Sequence, residues 1–181
     1  MLWITVPAAE YWDEIHEEFL YKKEQTLQLE HSLVSLSKWE SRWHKAFLGK
    51  QEKTDEEIRD YIRCMTLTQN VNPEVYDRLS AENYRTINAY IEAPMTATHF
   101  PEDRRTGQGR DVVTSELIYY WMISFNIPVD ICQKWHLNRL LTLIRVCSMK
   151  NAPKQKHSRR ELLSRNVALN AANRKRFGSK G

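Results

Sequence analysis

Glycine is scarce in this chain. The 181 residues hold five, at positions 49, 107, 109, 178 and 181. A glycine-rich phosphate cradle of the GxGxxG or GxxxxGK type has no material here, which removes the common nucleotide-binding classes. No apolar run approaches the roughly 18 residues of a membrane span. The first residues meet Pro7, Glu10, Asp13 and Glu14 before any apolar segment builds up, so the sequence predicts neither a membrane span nor a secretion signal. Cysteine is limited to Cys64, Cys132 and Cys147, an odd number with no CxxC pair. That argues against a disulfide framework and for a reducing, cytosolic compartment.

What is present has the ordinary globular balance, with 41% apolar and 28% charged residues, and is long enough for one domain with a sizeable core. The net charge of +4 conceals a division. Residues 150–181 carry ten Lys or Arg against the single acid Glu161, a net +9, which leaves residues 1–149 at −5. The polar stretch 151–156, with Pro153, is where a helix would break. The expected organisation is therefore a globular body over 1–151, β-rich in 1–30 and helical in 31–151, followed by a basic arm over 152–181.

Periodicity fills in the body. Leu2–Val6 is β-branched and aromatic, ends at Pro7, and reads as a strand. Phe19 and Tyr21, then Leu27 and Leu29, alternate with polar neighbours across a polar turn at 22–25, which predicts that these two segments pair as a hairpin. From Ser32 the period becomes 3.6, with Leu33, Leu36, Trp39 or Glu40, Trp43 and Ala46-Phe47 on one face of a helix ending near Gly49. Thr54 and Glu57 form a capping box that opens a helix with Ile58, Tyr61, Ile62 and Met65 on one side. Asn72-Pro73-Glu74 starts a short helical turn, and Ser80 caps a helix carrying Tyr84, Ile87 and Ile91 that stops before Pro94. Residues 96–113 read as a long, poorly ordered surface loop. Glu116 to Phe125 is apolar nearly all round and reads as a central helix packed on several sides. A second buried helix is expected over about Asp130 to Met149, and the two together form the core. Ser158 and Glu161 make another capping box, opening an arm helix whose face of Leu162, Leu163, Val167 and Leu169 is thin. An isolated helix of this kind is marginal in water. The fold expected is α+β and predominantly helical: a small N-terminal antiparallel hairpin on a helical bundle, with a basic C-terminal helical arm.

Candidate chemistry is sparse. Cys132, His136 and Cys147 do not form the two close ligand pairs of a structural zinc site and read as core residues. Glu14, Glu17 and Glu18 around His16 lack the second histidine of HExxH and read as a solvated acidic connection. Ser35, Ser37 and Ser41, near His31 and His44, read as hydroxyls on a polar helix face, and no G-x-S-x-G elbow exposes a nucleophile. The six tryptophans (3, 12, 39, 43, 121, 135) could suggest a ligand cage, but Trp39 and Trp43, one turn apart, read as a buried stripe, and core is the default for the set. No cofactor and no metal are expected. The basic arm could neutralise several phosphates, but Phe177 alone is available to stack bases, so an arm gripping an acidic protein surface outranks a nucleic-acid-binding module.

Several segments together carry a family likeness: LEHSLVSLSKWE at 29–40, DYIRCM at 60–65, MTAT at 95–98, ELIYYWM at 116–122, QKWHLNRLLTLI at 133–144 and NAA at 170–172. In these segments the chain resembles tail assembly chaperones of tailed bacteriophages, over nearly its whole length except residues 101–112. The resemblance implies a non-enzymatic protein of the host cytoplasm, absent from the mature virion. Such a protein binds the tape measure protein, shields its apolar faces and helps recruit tail tube subunits. It also implies that a frameshifted extension would begin near 178–181. A virion head–tail connector is the neighbouring structural alternative. The expected partner-binding residues are Lys154, Lys156, Arg159, Arg160, Leu162, Leu163, Arg165, Val167, Leu169, Arg174, Lys175 and Arg176, with self-association as one use of them.

Deleting residues 152–181 is expected to leave the thermal midpoint of the body within about 2 °C while weakening self-association or client binding. A large fall in the midpoint would make the arm part of the core, and unchanged association and client binding would remove its partner role.

Overall fold

A computed structural model describes residues 1–14, 16–100, 112–152 and 159–178. It is an α+β fold, predominantly helical, and the chain forms two compact units, Met1–Ser148 and Met149–Gly181.

The N-terminal strands are arranged differently from the expected hairpin. β1 (Leu2–Val6) pairs with β4 (Gln25–Leu29), and β2 (Ala9–Asp13) pairs with β3 (Glu18–Lys22), both antiparallel. Phe19 and Tyr21 therefore do not pair with Leu27 and Leu29. Val6 faces Gln25 and Ala9 faces Lys22, so the two pairs share one unbroken register. They are the inner and outer halves of a single long ribbon that folds back between the ends of β2 and β3, with Glu17 in the left-handed region at φ 52°. The break between the halves falls at Pro7, which has no N–H to donate to the ladder. Arg78 closes that break by donating to the carbonyls of Pro7 at 3.2 Å, Lys22 at 3.5 Å and Lys23 at 3.4 Å. The β2 segment escapes a sequence reading because its apolar and acidic residues do not alternate.

The inner half is buried through Ile4, Val6, Leu27 and Leu29. Its free edge is taken up by the residues that follow α2 (Asp55–Met65): Glu30 N–H donates to the Met65 carbonyl at 2.9 Å and Leu67 N–H to the Gln28 carbonyl at 2.8 Å. Thr54 and Glu57 form the expected capping box on α2. A 3-10 helix at Pro73–Arg78 and α3 (Ala81–Glu92), capped by Asn72 and Ser80 respectively, follow as expected. Asn83 at the start of α3 donates to the Thr5 carbonyl at 3.1 Å, which ties that helix to β1.

The central element is α1 (Leu33–Trp43). It stops at His44, whose left-handed backbone donates its N–H to the Glu40 carbonyl at 2.8 Å, and so it ends before the expected Gly49. The apolar period nevertheless continues past that stop. Phe47 returns from the following loop to stack on Tyr61 with ring centroids 3.7 Å apart. Ser35 is buried and not on a polar face, because the reciprocal capping box with Ser32 places it at the covered start of the helix.

Two apolar clusters, and not one helix pair, make the core. One joins Ile4, Leu27, Leu29, Trp39, Tyr61, Ile62, Met65 and Ile87, and the other joins Leu33, Leu36, Ile118, Met122, Leu137, Leu140 and Ile144. In the second cluster α4 (Ser115–Ser124) is buried only along Ser115, Ile118 and Met122, while Tyr120 and Ile123 are 63% and 66% exposed. It is not packed on all sides, since its neighbours α1 and α5 (Val129–Cys132) cover one flank. The helix expected over 130–149 is interrupted. After α5 the chain turns, His136 bridges to Ser32, and Leu137 N–H donates to the His31 carbonyl at 2.7 Å before α6 (Leu137–Asn151) begins. α7 (Arg159–Phe177) lies in the second unit. Most of the loop expected at 96–113, and Ser158 of the arm's capping box, fall outside the described residues.

Glu40 joins these parts. Its Oε2 accepts the Ser115 N–H at 2.7 Å and its Oε1 the Phe47 N–H at 3.0 Å. Replacing Glu40 by Ala orphans both donors and is expected to cost about 2–3 kcal/mol of unfolding free energy, read from urea denaturation. A loss under about 0.5 kcal/mol would show that the carboxylate does not hold α1 to α4.

Candidate functional site

His31 Nδ1 lies 2.6 Å from the Tyr61 hydroxyl, and the His31 and His136 rings are 5.2 Å apart. His136 Nδ1 accepts the Asn138 N–H at 3.3 Å, which leaves Nε2–H to donate to the Tyr90 carbonyl at 3.0 Å. That assigns the neutral Nε2–H tautomer. The Tyr90 hydroxyl donates to Glu30 Oε1 at 2.7 Å, and the other oxygen of Glu30 lies 2.9 Å from the Met1 ammonium. Burial pushes the His31 imidazole down to about 4, with the neighbouring His136 adding to the effect. Burial also lowers His136 and raises the Tyr61 and Tyr90 phenols. Each of these groups is engaged in holding β4, α1, α2, α3 and the start of α6 together.

Glu57 is buried as well, like Glu30 and Glu40. Hydrogen bonds from the Lys45 ammonium and then from the Thr54 backbone hold its carboxyl below the usual range. The Trp39 indole donates to its backbone carbonyl at 2.8 Å. Between α2 and α3 lies a cleft of about 630 Å³, lined by Ile58, Ile62, Ile87 and Ile91, with Arg59 and Asp77 paired at 3.0 Å on its rim.

The other sequence candidates are dispersed. Cys132 and His136 are buried and Cys147 is half-buried. Among the described residues no three His, Cys, Asp or Glu side chains are grouped to hold a metal. Ser37 is half-buried, and Ser41, whose hydroxyl donates to the Lys38 carbonyl at 2.9 Å, is exposed like His44. Trp39 is buried and stacks at 6.2 Å on Trp43. Glu14, His16, Glu17 and Glu18 sit exposed at the tip of the ribbon.

Exposed apolar surface stands out more than any buried group. In the outer ribbon Trp12 faces Phe19 and Glu10 faces Tyr21 on one side, while Tyr11 faces Leu20 on the other. Trp12, Phe19 and Tyr21 are 51%, 64% and 66% exposed, and Tyr11 and Leu20 are exposed as well. The Trp12 and Phe19 rings meet edge to face at 4.8 Å. Soluble chains rarely present contiguous apolar surface of this kind unless it receives something. Periodicity and composition do not mark these residues as a site, and Trp12 is exposed where a place in the core is expected. Four aromatics within 11–21, placed on both faces of two strands with no polar face between them, were the signal.

The arm residues named from the sequence lie mostly on α7. Leu163, Val167, Leu169, Arg174, Lys175 and Arg176 are exposed there. Arg159, Arg160, Leu162 and Arg165 belong to the same helix, and Lys154 and Lys156 lie outside the described residues. Leu163 and Val167 are one turn apart, but Leu169 sits about 120° round the helix from Leu163, so the expected single apolar face is split. No described helix is long and apolar enough to cross a membrane.

His31 sets a pH dependence. Unfolded, the imidazole titrates near 6.5, and folded near 4, so folding expels a proton between those values. Stability is full above about pH 6.5 and drains as the pH falls toward 4, by about 2 kcal/mol between pH 7 and pH 5. Glu57 adds its own loss only below the ordinary carboxylate range. Urea midpoints measured across this window should flatten in His31→Phe, and an unchanged slope in that variant would assign the dependence elsewhere.

Comparison of the chain with protein-family models, with curated proteins and with solved structures finds no match to any of them.

Proposed function

We propose that this chain is a non-enzymatic phage tail assembly chaperone that binds the tape measure protein and helps recruit tail tube subunits. The outer ribbon is part of the surface it offers that client. The observation that carries this reading is the exposure of Tyr11, Trp12, Phe19, Leu20 and Tyr21 over both faces of a two-stranded arm. Aromatic side chains give large contact area at low entropic cost, and Tyr and Trp dominate the anchors of protein interfaces. A two-stranded ribbon is only marginally stable in water, so an apolar client laid against it removes surface that the body leaves uncovered. The segment likenesses at 29–40, 116–122 and 133–144 support the family part of the reading.

Co-expression with the tape measure protein tests it. The wild-type chain should keep that protein soluble and co-purify with it, and Trp12→Ala combined with Phe19→Ala should lower recovery at least about tenfold, with the circular dichroism unchanged. Equal recovery would remove the arm from the client site. The absence of any complex would remove the chaperone reading, and a stoichiometric presence of the chain in purified particles would favour a connector.

A further inference from the structure

The ribbon tip carries more than aromatics. Residues 10–18 hold Glu10, Asp13, Glu14, Glu17 and Glu18 and no Lys or Arg, a net −5. The whole of residues 1–149 nets −5 as well, so the rest of the body is balanced and its excess negative charge sits on this one arm. α7 is the counterpart: six Lys or Arg against Glu161 give it +5, with Leu163, Val167 and Leu169 exposed along its length. Its 19 residues span about 28 Å, and each five-residue strand of the arm about 17 Å, so one helix can lie along the full ribbon.

We infer that the acidic aromatic face of the β2–β3 arm is a docking site for the basic helix α7 of a second copy of this chain. Trp12, Phe19 and Tyr21 receive the Leu163 and Val167 side chains, while the acids at the tip meet Arg174, Lys175 and Arg176. This rests on the reading of the arm as a docking surface, and not on the identity of the client. Charge fixes the direction: two arms repel, two α7 helices repel, and only the unlike pair closes.

The test uses the full-length chain in sedimentation equilibrium. Self-association should be present at about 0.1 M salt and weaken at about 1 M, where screening shortens the Debye length to about 3 Å. The exposed triple variants Glu14→Lys, Glu17→Lys, Glu18→Lys and Arg174→Glu, Lys175→Glu, Arg176→Glu should each lose association at least about tenfold. Mixed together, they should recover it, because the intact arm of one variant then meets the intact helix of the other and the reversed arm meets the reversed helix. Circular dichroism confirms that each is folded. A wild-type chain that stays monomeric, including one whose arm and α7 cross-link only within a single molecule, would overturn the inference. So would variants that associate as tightly as wild type, or a mixture that shows no recovery. Failure of tape measure capture while the charge-swap rescue holds would remove the chaperone reading and leave this one standing.

Discussion

Helix α1 is covered on two sides, and that constraint organises the body. Leu33 and Leu36 belong to one apolar cluster and Trp39 to the other, so the helix separates two cores and completes both. A helix in that position cannot leave its polar groups to water, where each buried orphan costs about 1–3 kcal/mol. Its start is satisfied by the Ser32–Ser35 box and by the Gln133 carbonyl, which accepts the Val34 N–H at 3.3 Å. Near its end, Glu40 serves Phe47 and Ser115. The interruption of the helix expected over 130–149 follows from the same demand, because the chain must straighten at His136 and Leu137 to reach Ser32 and His31.

The ribbon applies one construction to two purposes. Its inner half gives up its apolar side chains to the core, and its outer half, in the same register, carries aromatics that the body does not cover. The outer strands therefore inherit their position from the buried ones. Arg78 secures the place where Pro7 interrupts the ladder, so the arm is anchored at its base. An exposed surface built this way holds its geometry without a core of its own.

The buried histidines fit the same picture of structural use. His31 and His136 face each other across the junction of α1 and α6, neutral and hydrogen-bonded to Tyr61 and to the Tyr90 carbonyl. Burial that would suggest catalytic tuning in an open cleft here accompanies tight packing around elements that meet from five directions. Their titration reports on the integrity of that junction.

Local interactions were legible in the sequence. The capping pair Thr54–Glu57, the Ser80 cap, the turn begun by Asn72-Pro73, and the 3.6-residue pattern of α2 and α3 lie within a few positions of one another, so the residues alone specify them. The basic composition of the arm and the predominantly helical class were legible for the same reason. Pairing partners and burial were not. Phe19 and Tyr21 alternate whether they pair forward with Leu27 or back with Trp12, and only the fold-back of β3 onto β2 decides between them. The apolar residues of α4 look alike in sequence, and it takes the placement of α1 and α5 to bury Ile118 and Met122 while leaving Tyr120 and Ile123 exposed. The aromatic arm was missed because exposure is a property of what fails to pack against a residue, and that is settled only when distant segments have taken their places.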